Sequence, residues 1–137
     1  MGGLALCLLL LAHAAAAKCL QYEPALVTLS GTIFSRVDFG PPNYGEDPKT
    51  DSKEEHLYFK LDHPICVDAK SDPDSVDDES VGNISILQMA FDPSFSHEVP
   101  TGKHLSVSGS LFHAFSAHHW TSVLIYAKKA HLQSRAN

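Results

Sequence analysis

Two stretches far apart in this chain carry one order of residue classes: Val27-Thr-Leu-Ser-Gly-Thr-Ile-Phe34 and Leu105-Ser-Val-Ser-Gly-Ser-Leu-Phe112. Apolar residues alternate with small polar ones, glycine stands fifth and phenylalanine eighth. A repeat of two is that of a strand with one buried face, so Val27, Leu29 and Ile33 share a face, as do Leu105, Val107 and Leu111. Glycine within a strand removes the side chain where a sheet coils sharply or another backbone comes close. Gly31 and Gly109 are therefore natural bending points of a small closed barrel, and two equivalent curved strands suggest neighbours.

Further strands are expected over His56 to Asp62, continuing through Pro64 to Ile65-Cys66-Val67, over Ile84 to Phe91, and over Thr121 to Ala127. Pro64 has no N–H for a ladder and implies an edge or a bulge. Asp92-Pro93 has the form of a helix start, Asp as cap and Pro in the first position, and Pro100-Thr-Gly102 ends it within one or two turns. Three strands, a short helix and two strands define the expected class: all-β with small α content, a five-stranded OB-like Greek-key barrel with one short helix between its third and fourth strands. A five-stranded sandwich of another topology is the competing arrangement.

The first seventeen residues differ from the rest. An apolar run, Leu4 to Leu11, closed by Ala15-Ala16-Ala17, has the form of a secretory signal peptide over residues 1–17, although no Lys or Arg precedes the run. Residues 18–137 are then a single mature domain without a stretch long enough to span a membrane, placed in the periplasm or outside the cell. Cleavage removes Cys7 and leaves Cys19 and Cys66, with one possible connectivity in an oxidising compartment; two unpaired thiols are the alternative. The formal charge of −6 argues against a nucleic-acid partner, which needs a basic face. Thirteen acids against four lysines lie between Asp38 and Glu79, whereas beyond Glu98 four basic residues meet no acid. The barrel should be electrically polarised.

No G-x-S-x-G, S-x-x-K or phosphate-cradling glycine motif occurs. His63 or His113 beside an acid makes a dyad only on paper, and no enzyme is expected. The most specific cluster is Phe112-His-Ala-Phe-Ser-Ala-His-His-Trp120. Parity from Leu105 puts His113 on the inward face, with His118 and His119 in the loop that follows. Brought together by a tight turn, His113, His118 and His119 would offer neutral imidazoles to Zn²⁺ or Cu²⁺, with His104, His131 or an acidic loop as the fourth ligand. The alternative is a barrel-mouth group of hydrogen-bonded histidines beside Phe115 and Trp120. Asp72 to Glu79 has oxygens for calcium but lacks the EF-hand glycine and terminal Glu, and Pro73 interrupts it; a solvated loop is the simpler reading. Asn83-Ile-Ser85 fits the glycosylation acceptor.

Cys19-Leu-Gln-Tyr-Glu-Pro24, the Val27–Phe34 strand, Gly40-Pro-Pro-Asn-Tyr44, Leu61-Asp-His-Pro-Ile-Cys-Val-Asp68 and Val107 to His113 with His118-His119 together resemble a bacterial exported family, the domain of unknown function numbered 4431. The resemblance implies a small exported domain without an assigned activity. In the histidine loop the chain departs from that pattern, since Phe115 and Trp120 stand where further histidines are expected.

The function expected is that of a non-enzymatic binding module without a resident cofactor. Its contact residues would be His113, Phe115, His118, His119 and Trp120, and its partner a protein or small ligand of the cell envelope. An acidic loop region suits a cationic partner such as a secreted basic hydrolase, in an inhibitor or immunity role. The second expectation is a periplasmic zinc- or copper-binding protein using the three histidines.

Overall fold

The computed structural model describes residues 17–77, 79–95 and 99–134. The leader expected over residues 1–17 lies outside these except for Ala17. Among the described residues six strands occur: β1 Leu20–Gln21, β2 Val27–Phe39, β3 Lys53–Asp68, β4 Val81–Phe91, β5 His104–His113 and β6 Val123–Leu132. β2, β3 and β4 form an antiparallel meander, and β5 then returns to pair with β2, which is a Greek-key connection. β6 pairs antiparallel with β5 and parallel with β4, closing a five-stranded barrel. β1 adds two residues parallel to the end of β3, beside a Cys19–Cys66 disulfide whose Cα atoms are 4.7 Å apart.

The two repeated segments are indeed neighbours, paired from Val27↔Gly109 to Thr32↔His104. Both glycines stand where another backbone crowds the strand. A Cβ on Gly31 would run into the carbonyl of Lys60, and one on Gly109 into the carbonyl of Tyr126. Gly109 also marks a register shift between β5 and β6. The bulge expected at Pro64 is present, as the β3–β4 register slips between Lys60 and Ile65. Ile33, Phe59, Leu87, Val107, Leu111 and Ile125 are fully buried in the interior.

The short helix is a correction: no helix occurs among the described residues. Asp92 caps a single turn instead. Its carboxylate accepts the Ser94 N–H at 2.9 Å and the Ser94 hydroxyl at 2.6 Å, while the Phe95 N–H closes on the Asp92 carbonyl. Phe95 and Val99 pack against the core from this connection, and Gly102, at φ 75°, donates its N–H to Ile33. The described part of this connection thus contributes apolar side chains to the barrel from turns.

β2 and β3 are longer than the apolar alternation suggests. β2 pairs with β5 only as far as Thr32, but with β3 as far as Phe39. Its second half and the start of β3 therefore form a two-stranded ribbon projecting from the barrel wall.

Candidate functional site

One side of that ribbon carries a polar ladder. Period-two alternation places Phe34, Arg36 and Asp38 on one face of β2, opposite Tyr58, His56 and Glu54 of β3 in register. Asp38, 8% exposed, is the hub. It accepts hydrogen bonds from Arg36 Nε at 2.7 Å, from His56 Nδ1 at 3.1 Å and from the Tyr58 hydroxyl. The Arg36 guanidinium also donates to the Tyr58 oxygen at 2.7 Å and lies 4.0 Å above the Tyr58 ring, whose other neighbour is Phe34. Burial alone would raise the Asp38 carboxyl, but the hydrogen bonds from Tyr58, Arg36 and His56 outweigh it and hold the group below its ordinary value. Burial and the bond to Asp38 push the Tyr58 phenol up. At neutral pH Asp38 is thus ionised and Tyr58 keeps its proton, an arrangement that fixes an arginine and a histidine rather than one that activates a nucleophile.

The loop joining β2 to β3 folds around a second buried carboxylate. Asp51 accepts the N–H groups of Asn43 and Gly45, each at 2.7 Å, and these bonds keep it ionised against its burial. Tyr44 and Gly45 both adopt positive φ to close around it. The Gly40-Pro-Pro-Asn-Tyr44 block is thereby a compact turn.

The loop between β5 and β6 crosses the outer wall. Tyr58, Gln88, Leu124 and Phe112 form a row across β3, β4, β6 and β5. Their chain neighbours Phe59, Leu87, Ile125 and Leu111 point into the core, so the row faces outward, yet all four are nearly or fully buried. The loop 114–122 covers Gln88 and Phe112, while Arg36 and Phe34 lie over Tyr58. The Gln88 side chain donates to the His118 carbonyl at 2.9 Å and accepts the Trp120 N–H at 2.6 Å, and Phe112 packs on the rings of Phe115 and His119. At the far end His118 Nδ1 lies 3.1 Å from Glu54 Oε2, and the His118 ring packs edge-on to Tyr44. Glu54 Oε2 is also 3.5 Å from His56 Nε2, so this one carboxylate joins the strap to the ribbon.

Of the five residues singled out in the sequence, Phe115 and His119 meet edge-on with ring centroids 4.7 Å apart, while His113 and His118 turn to other partners. His113 sits at the barrel mouth, its ring against Tyr22 and its Nε2 3.4 Å from Glu79. His118 turns to Glu54 and His119 to the phenylalanines. Phe115 is 65% exposed. Phe112 and His113 face opposite sides of the strand, and the strap follows Phe112 over the outside while His113 stays at the mouth. The three imidazoles therefore do not converge, and no group of three or more His, Cys, Asp or Glu among the described residues is arranged to hold a metal ion. The acidic loop 69–80 also has an inner member. Asp77, 1% exposed, is 2.7 Å from Lys70 Nζ and accepts the His113 N–H at 2.8 Å.

Acid titration is expected to lower the melting temperature in two windows. Burial, then the charge of His118, depresses His119, so its contribution is complete above about pH 6.5 and is lost as the pH falls through its folded value. Asp38, also depressed, contributes above about pH 4 and loses that contribution on further acidification. Melting curves from pH 8 to 2 check this: His119→Gln should flatten only the first window and Asp38→Asn should reduce only the second.

Fold and site together define a small closed Greek-key barrel with a strapped outer wall and a charged seam between two loops. Residues 87–130, which contain the strap and its Gln88 anchor, match the model of the family described as Domain of unknown function (DUF4431), the family that the sequence motifs resemble. Neither the curated proteins nor the solved structures yield a match.

Proposed function

We propose that this domain is an exported, non-enzymatic binding module whose contact surface is the seam between the loop 40–52 and the strap 114–122, and that its partner is a cationic protein. The observation that carries this reading is the Glu54–His118 contact. It ties the strap, which carries exposed Phe115, to the ribbon and the adjoining loop, which carry half-exposed Arg36 and the exposed acids Glu46 and Asp47. An aromatic anchor beside charges suits protein contact, and the rigid hubs Asp38 and Asp51 limit the ordering cost of binding. Export is supported by the leader sequence and by the disulfide. An inhibitor or immunity role follows if the partner is a basic hydrolase.

The test uses the mature domain as bait for envelope and secreted proteins, with affinities measured for each protein captured. The expected partner binds on the order of tenfold more weakly after Glu46→Lys with Asp47→Lys, or after Phe115→Ala, and loses affinity steadily with added salt. Binding indifferent to salt and to both sets of substitutions would sink the proposal.

A further inference from the structure

The barrel closes between β4 and β6 over only a short pairing, Gln88↔Leu124 to Phe91↔Ala127. Upstream the two strands part. The chain entering β6 is held by the Gln88 side chain rather than by strand pairing, and it rises over the outer wall. Between it and β4 lies a groove of about 340 Å³, lined by Asn83 to Ile86 and by Trp120 to Val123, with no charged side chain in its lining.

Trp120 and Ile86 both line this groove. The Trp120 indole Nε1 is buried without an acceptor. The Gln88 N–H points to the β6 side, where Thr121 Oγ1 takes it at 3.0 Å. Strand alternation turns the N–H and C=O of Ile86 the same way, and there β4 pairs with no strand among the described residues. Asn83, at the upstream end, holds φ 53°, a conformation uncommon for a residue with a side chain and often found at binding sites.

We propose that this groove binds a short uncharged peptide in extended conformation, added as a strand along β4 at Ile84–Ile86, with one of its carbonyls accepting the Trp120 indole N–H. Edge addition supplies N–H and C=O groups in the alternation that Ile86 presents, and a neutral lining offers nothing to compensate a buried charge. A saccharide would offer acceptors to Trp120 but not the strand-spaced pair that meets Ile86. The groove shares Trp120 to Ser122 with the strap but is lined by none of Glu46, Asp47 and Phe115, the residues that test the seam proposed above.

Tryptophan occurs once in the chain, so the indole N–H gives a single NMR resonance. The probe is the capped peptide acetyl-Thr-Val-Ser-Val-Thr-Val-amide, titrated into ¹⁵N-labelled protein to millimolar concentration. The expected result is a saturable shift of the indole resonance together with the Ile84 and Ile86 amides, and slowing of Ile86 hydrogen exchange on the order of tenfold. Trp120→Phe, which keeps a ring but no donor, should weaken the Ile86 shift severalfold. No saturable indole shift, an equal shift with the same peptide N-methylated at alternate residues, or a shift given by maltohexaose and not by the peptide would each overturn the proposal. Loss of protein capture at the seam with the indole shift retained would overturn the earlier reading and leave this one standing.

Discussion

Replacing both Cys19 and Cys66 by serine is expected to destabilise the domain by about 4 kcal/mol, the loop-closure entropy that the crosslink removes from the unfolded chain. The separation of 47 residues sets this magnitude, because the closed loop contains β2 and nearly all of β3. The bond also ties β1 beside the end of β3. Leu20 and Gln21 pair with Val67 and Asp68, immediately after the two cysteines, and β1 is too short to hold that place by its own ladder. Urea unfolding with and without reductant, and of the double variant, gives the test. Reduced wild type and variant should agree, both well below the oxidised protein. An unchanged midpoint on reduction would show that the crosslink does not constrain the unfolded chain.

Gly109→Ala is expected to cost about 3 kcal/mol or more, since the added methyl meets backbone that cannot rotate away. The clash is with the Tyr126 carbonyl, where β5 passes β6 at a register shift, and Gly109 is paired at the same time with Val27 of β2. Relief would have to separate strands on which barrel closure depends. Gly82→Ala is the control. Nothing lies within 4 Å of a Cβ there, and the change should stay within about 0.5 kcal/mol. Equal midpoints for the two variants in chemical denaturation would contradict the account of Gly109.

Much of the barrel was legible because its signals are local. The twin alternating segments, their glycines and Pro64 each constrain one strand, and each is found in the place and role expected. The helix failed for an equally local reason. Asp followed by Pro caps a helix or a turn alike, and the choice went to the turn when Ser94 took the Asp92 carboxylate. In the histidine loop the residue types stood out, but parity alone does not say which wall a loop covers. The ladder of Arg36, Asp38, Glu54, His56 and Tyr58 was missed although its signal, polar residues at every second place on two successive strands, was present. Charged residues in alternation read as a solvated edge until register sets them opposite one another.

By itself the sequence determined which faces of the strands are apolar, where they bend and where pairing is interrupted, since these follow from each residue's own shape and hydrogen-bonding capacity. It also marked the two cysteines as a possible pair. Tertiary structure alone decided that β6 closes on β4, that the strap lies on the outer wall under the grip of Gln88, and that Glu54 meets His118 sixty-four residues away. Those contacts are stabilised by burial and pairing between segments remote in the chain, and no local pattern contains the energy of a partner that only folding brings near.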